Sequence, residues 1–293
     1  MIPLSTPVNV PPMPFRLTHD SGVVALGSCF ADEVGLRLLR DGFRVEQNPF
    51  GTLYNPASVA AALARLVDDR EIGTADLVQH DGLWHSWHHH GRFSRPSQQE
   101  CLDVCNSSIH RAHKCLQEAS VLMVTFGTSW VFHLRDVDGI GVVANCHKVS
   151  GASFKRRMMS VDEIVALWQP LLCSLHVFNP DLNVLFSVSP IRHMADGAHG
   201  NQLSKSTLLL AVEQLSTFHF PLSTFYFPAY EIVLDELRDY RYFATDMVHP
   251  SPLAADIVYE RFCQATMTPG TIQQAHNNAK RQKRDNHIPL HNS

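Results

Sequence analysis

The stretch GVVALGS, residues 22–28, decides the fold. It is a short apolar run with no polar interruption before its end, the pattern of a buried strand. Next comes ADEVGLRLLRDGF (31–43), where Val34, Leu38 and Leu39 recur at helical spacing. Asp32 and Glu33 fall in the first turn of that helix, where the helix dipole favours anions. The junction is therefore a strand that hands Ser28 to the start of a helix.

The same units recur outward from this junction. VLMVTFGTS (121–129) and LNVLFSVSP (182–190) read as further core strands, and TFYFPA (224–229) as a short one. Helices are predicted over PASVAAALARLVDD (56–69), 98–118, SVDEIVALWQPLLCSLHVFN (160–179) and about 204–215, with a last one starting near Pro252. Pro56 is tolerated at the head of its helix, and Ser160 and Glu163 form a capping-box signature. LVQHDGLWHSWHHHGRFS (77–94) predicts a hairpin around Asp81-Gly82, and WVFHLRDVDGIGVVANCHKV (130–149) one turning at Asp138-Gly139. RVEQNPFGTLYNP (44–56) is a strand fragment running into a turn-rich loop. Core strands alternating with helices argue for an α/β domain on a mostly parallel sheet. One domain is expected over 21–268, with an extended arm (1–20) before it and a polar tail (269–293) after it. The tail's composition, with Lys280, Arg281, Lys283 and Arg284 clustered, predicts disorder, and a weak anion-binding role is its functional reading.

Composition narrows the function. The chain is 45% apolar and 18% charged, and its formal charge of −4 gives no general attraction to nucleic acid or to an anionic membrane. No apolar stretch approaches the roughly 18 residues that suggest a membrane span. The proline-broken N-terminus, with no basic residue before Arg16, lacks a secretion pattern, so a cytoplasmic address is expected. The seven cysteines are odd in number and form no CxxC pair, which predicts free thiols. No glycine-rich phosphate or dinucleotide motif occurs, and no cofactor is expected. His88-His89-His90, with His85 just before, invites a metal reading. Neighbours on a strand point to opposite faces, and no carboxylate or cysteine stands at ligand spacing. No metal is expected, and a surface or cleft-lining role is the reading preferred.

Two short motifs carry chemistry. In Gly27-Ser28-Cys29-Phe30 a hydroxyl stands at a strand-to-helix turn, near a helix N-terminus that favours developing anions. The bland alternative is a helix-capping serine. In Asp246-Met247-Val248-His249-Pro250 an aspartate three residues before a histidine can fix the imidazole tautomer and stabilise the imidazolium that a serine nucleophile requires. An exposed turn with a capping aspartate is the bland alternative there.

Taken together with NPFGTLYNP, TFGTSW, NCHK, SVSPIRH and DMVHPS, the stretch GSCFADEVG resembles the GSCFA family, a branch of the GDSL-like SGNH hydrolases. The resemblance runs from Leu26 to Phe262. It implies a three-layer α/β/α, flavodoxin-like domain, in which Ser28 attacks a carbonyl carbon, His249 takes the hydroxyl proton and Asp246 orients His249. It also implies oxyanion donors from the Ser28 N–H, the Gly51 N–H and an asparagine side chain. The block that normally supplies the asparagine aligns with Gly127-Thr128-Ser129-Trp130, so Ser129 stands in its place. Ser129 or a nearby asparagine must substitute. Asn48, Asn55 and Asn145 are the candidates, Asn145 the favoured one.

Cys29 is a rival thiol nucleophile beside Ser28. His147, Lys148, Arg192 and His193 are candidates for substrate contact. The expected activity is hydrolysis of an O-acyl ester, on a small molecule or a glycan, through an acyl-Ser28 intermediate. Acyl transfer through the same intermediate is the enzymatic alternative, and a decayed ligand-binding module the non-enzymatic one.

Overall fold

The computed structural model describes residues 5–135, 140–218 and 220–285. Five strands form the central sheet: β1 (Gly22–Gly27), β2 (Arg44–Gln47), β5 (Ala119–Phe126), β9 (Asn183–Val188) and β10 (Ser223–Tyr226). All four neighbouring pairs are parallel, in the spatial order β2-β1-β5-β9-β10. Numbered within the sheet, that is 2-1-3-4-5, the flavodoxin-like order. A hairpin of β3 (Leu77–His80) and β4 (Leu83–Ser86) lies outside this sheet. So does a small antiparallel sheet of β6 (Trp130–Leu134), β7 (Val142–Val143) and β8 (Phe154–Met158). Strands β6 and β7 pair as a hairpin expected from the sequence would, while its turn at Asp138-Gly139 lies outside the described residues.

Alternation along the strands builds two cores. Val24, Leu26, Leu122, Val124, Phe126, Val184 and Phe186 face α2 (Pro56–Val67), α3 (Gln98–Gln117), α4 (Val161–Phe178) and α5 (Gly197–Thr217). Val23, Ala25, Val121, Met123 and Leu185 face α1 (Cys29–Arg40) and, after a short helical turn α6 (Ala229–Glu231), α7 (Pro252–Thr266) and α8 (Pro269–Asp285). The result is a three-layer α/β/α sandwich. Trp168 packs edge-on against Phe126 and Phe186, with ring centroids 5.2 and 5.3 Å away. Truncating a buried ring of this kind costs about 3–5 kcal/mol.

Three expectations are corrected. Residues 269–285 form α8 rather than a disordered tail, because Ile272 and Ala275 pack on the α1 side and Asn278 donates to the Asp41 carbonyl (3.0 Å). Helix α5 starts at Gly197, not near residue 204, because its first two turns bury polar residues that leave no apolar stripe to read. Helix α4 has 18 residues at a mean hydropathy of 1.2, long and apolar enough to cross a membrane by composition. Its Ile164, Trp168, Leu172 and Leu175 are instead buried in the core.

The arm is tied to the end of α7. The Met13 and Leu17 N–H groups donate to the Ala265 and Thr266 carbonyls at 2.8 and 2.7 Å, and Leu17 bridges Met267.

Candidate active site

The order of the sheet reverses between β1 and β5, and the crevice beyond the carboxyl ends of these strands is where open α/β sheets bind ligands. Ser28 sits there, immediately after β1. Gly27 adopts φ +138°, and a Cβ on it would lie 2.1 Å from the Thr125 carbonyl oxygen, so only glycine lets β1 run this close to β5. Asn48 holds the turn from behind: its Oδ1 accepts the Gly27 N–H (2.9 Å) and its Nδ2 donates to Asp32 (2.7 Å). Asn48 is fully buried, with both ends of its amide engaged in the fold, and does not line the cavity.

Ser28 is buried and caps α1, its Oγ accepting the Phe30 N–H at 3.3 Å. Its own N–H donates to the Thr125 carbonyl at 3.0 Å, which removes it as an oxyanion donor in this state. The next amide, at Cys29, is the first of the helix and has no intrahelical carbonyl to reach. The Cys29 thiol is half-buried and approaches the Tyr54 hydroxyl at 3.5 Å.

Across a cavity of about 460 Å³ from this turn lies the loop of Asp246 and His249. His249 Nδ1 donates to Asp246 Oδ2 at 2.6 Å, and the other Asp246 oxygen accepts the Val248 and His249 N–H groups at 2.9 and 3.0 Å. Those backbone bonds, then the imidazole, pull the Asp246 carboxyl down to about 2. Both side chains are about half exposed. With Nδ1 occupied, Nε2 is the ring nitrogen left for chemistry. No hydrogen bond joins Ser28 Oγ to His249. Arg192 braces the loop through its N–H to the Val248 carbonyl and its Nη1 to the Met247 carbonyl, each at 3.2 Å.

Cys29, Asn55, Asn145, Arg192, His193 and His249 all line the cavity. Asn55 caps α2 through Oδ1 (2.8 Å to the Ser58 N–H), and Asn145 Oδ1 accepts the His147 N–H at 2.8 Å. The remaining candidates are placed elsewhere. Gly51 donates its N–H to the Asn48 carbonyl (2.7 Å) and packs against His90, so it supplies no donor to the cavity. Ser129 is fully buried, with its N–H and hydroxyl both turned to Ser204 Oγ (2.8 and 3.1 Å). His147 is buried under His85 and bonds the Ser86 carbonyl at 2.8 Å, and Lys148 is exposed away from the cavity. Within the histidine run His88 bonds Asp76, His85 bonds Ser94, and His89 is buried between Phe50 and Phe93. The surface or cleft-lining role expected for the run is corrected for the buried His85 and His89, while His88 does line a cavity, one separate from that of His249.

One face of α5 organises the floor, and no motif announced it. Asn201 accepts the His193 N–H (2.9 Å), Ser204 holds Thr128 and Ser129, and Lys205 Nζ donates to the carbonyls of Gly127 and Ser189, both at 2.6 Å. Spaced i, i+3 and i+4, the three share one helix face, which was the only signal available. Lys205 is fully buried, and that burial lowers its pKa to about 7.

A model of the GSCFA family matches residues 22–262. No curated protein matches the chain. Solved structures similar to it at low levels include two esterases. One is a carbohydrate esterase family 3 protein from Talaromyces cellulolyticus, 9% identical, covering 87% of this chain and 98% of that one at a TM-score of 0.40. The other is an acetyl xylan esterase, Est2A, from the rumen bacterium Butyrivibrio proteoclasticus, 12% identical, covering 88% and 64% at a TM-score of 0.36. Similarity of this degree carries nothing about substrate.

Proposed function

The chain belongs to the GSCFA family, and on that premise we propose that it is a serine esterase acting on O-acyl esters. The observation that supports this most is the 2.6 Å bond from His249 Nδ1 to Asp246. It leaves Nε2 as a bare acceptor on a cavity that reaches the turn carrying Ser28.

A rotation about Cα–Cβ releases Ser28 Oγ from its 3.3 Å contact with the Phe30 N–H. Oγ then attacks the ester carbonyl carbon while its proton passes to His249 Nε2. Collapse of the tetrahedral intermediate expels the alcohol, which takes that proton. Water attacks the acyl-Ser28 carbonyl with His249 as base, and the carboxylic acid leaves as the Ser28 hydroxyl is restored. Asp246 stays ionised throughout and stabilises the imidazolium. A dyad about half exposed to solvent favours water over a second alcohol as the acceptor.

Ligand binding without chemistry is the rival reading, favoured by the capping role of the Ser28 hydroxyl. A fluorophosphonate probe separates the two. Covalent labelling at Ser28, found by peptide mass and lost in Ser28→Ala, supports the esterase. Absence of labelling in the folded wild-type protein would overturn it.

A further inference from the structure

Gly127, at the end of β5, marks a small space beside Ser28. A Cβ built on it would have three nearest neighbours: the Tyr54 carbonyl oxygen at 3.2 Å, His193 Nε2 at 3.3 Å and Ser28 Cβ at 3.3 Å. His193 Nε2 and Ser28 Cβ are therefore separated by at most twice that last distance. The carbonyl oxygen of an acyl group on Ser28 Oγ falls about 3 Å from Ser28 Cβ. An oxyanion donor must stand about 2.7–3.1 Å from that oxygen. The space between Ser28 and His193 accommodates one such atom. Neither Asn55 nor Asn145, which line the same cavity, is among the atoms nearest to it.

We infer that His193 donates its Nε2–H to the developing oxyanion, in the role left open by the missing asparagine, with the Cys29 N–H at the start of α1 as its companion. The inference rests on the esterase reading and adds to it a residue that touches the reacting atoms. His193 is held for this role. Its N–H is fixed by Asn201 (2.9 Å), its ring meets Tyr54 edge-on at 5.9 Å, and neither ring nitrogen bonds another described residue. Burial, then the charge of Lys205, lowers its pKa to about 4. The imidazole is neutral at pH 7, so it is a poor base and a competent donor, the division of labour known for a neutral histidine that polarises a carbonyl. His249, outside in solvent and paired to a carboxylate, has the complementary environment of a base.

Gly127 fits the same picture, because a side chain there would crowd the space between His193 and Ser28.

The test compares wild type with His193→Ala, His193→Gln and Ser28→Ala, using p-nitrophenyl acetate and the rate of fluorophosphonate labelling. His193→Ala should lower kcat and the labelling rate about a hundredfold or more, with KM within threefold. His193→Gln, which restores an N–H donor, should recover at least tenfold of that loss. Labelling of His193→Ala at the wild-type rate would overturn the inference while leaving the esterase reading intact. So would equal losses in the alanine and glutamine variants, or a loss confined to KM. If Ser28 in wild type is not labelled at all, the esterase reading fails and this one with it.

Discussion

The two halves of the site are built by opposite means. The Ser28 turn grows out of the central sheet, where Gly27, Asn48, Asp32 and Thr125 lock it through buried bonds of 2.7–3.0 Å. The Asp246-His249 loop hangs outside, about half exposed, and its ties to the rest of the molecule run largely through Arg192. Its internal order comes from one carboxylate that takes two backbone N–H groups and an imidazole. Precision is thus invested in the turn that carries the proposed nucleophile. The side proposed to move the proton is held locally and can adjust to a ligand, which suits a state in which Ser28 and His249 are not bonded.

Substitutions on each half sharpen this contrast. Ser28→Ala, on the rigid half, should remove at least about 10³-fold of esterase activity, because nucleophile and base act as a unit. Circular dichroism should show it folded, since losing a helix cap costs only about 1 kcal/mol. Asp246→Asn, on the loop, should lower kcat by about 10²–10⁴-fold by favouring the wrong imidazole tautomer. Kinetics on p-nitrophenyl acetate would read both, and a loss under threefold for Asp246→Asn would break the proposed division of roles.

Beneath the two halves, Lys205 should show itself in stability. Its folded pKa is depressed to about 7 from 10.5, so between these values the unfolded chain binds more protons than the folded one. Its contribution to stability therefore rises as pH climbs from 7 towards 10.5, and is least favourable and constant below 7. Lys205→Met should abolish that slope in urea melts. It should also cost about 2–4 kcal/mol near pH 8, by orphaning the Gly127 and Ser189 carbonyls. Unchanged melting would mean that water replaces the amine. The smallest effect is expected from Arg192→Ala, which loosens the loop without touching its internal bonds. Activity should fall about threefold to tenfold with melting unchanged, and no change at all would show that the loop holds itself.

Much of this was legible in residue order. Strands β1, β5 and β9 each carry a short apolar run (23–26, 121–124 and 184–186), and the three-residue spacing of Asp246 and His249 is what lets their side chains bond. The rest was hidden for physical reasons. Helix α5 buries Asn201, Ser204 and Lys205 beneath the site, so apolar periodicity, the main sign of a helix, is missing from its first half. Helix α8 needs only Ile272, Ala275 and Asn278 to dock, too few to stand out from a polar tail. Gly51 and Ser129 went the other way. Both belong to blocks that resemble donor-bearing ones, yet their polar groups are consumed by Asn48 and Ser204.

The clasp between the arm and the end of α7 has a consequence for how the chain is made. Arg16 bonds the Ala265 carbonyl across 249 positions of sequence, and Leu17, fully buried in the finished fold, waits for the same stretch. At about 5–20 residues per second on the ribosome, that wait is on the order of ten seconds or more. Throughout it the α1 face of the sheet lacks α7 and α8, and Met13 and Leu17 lack the chain end they pack on. This layer is therefore the last of the three to close during synthesis, and the one on which slow translation weighs most.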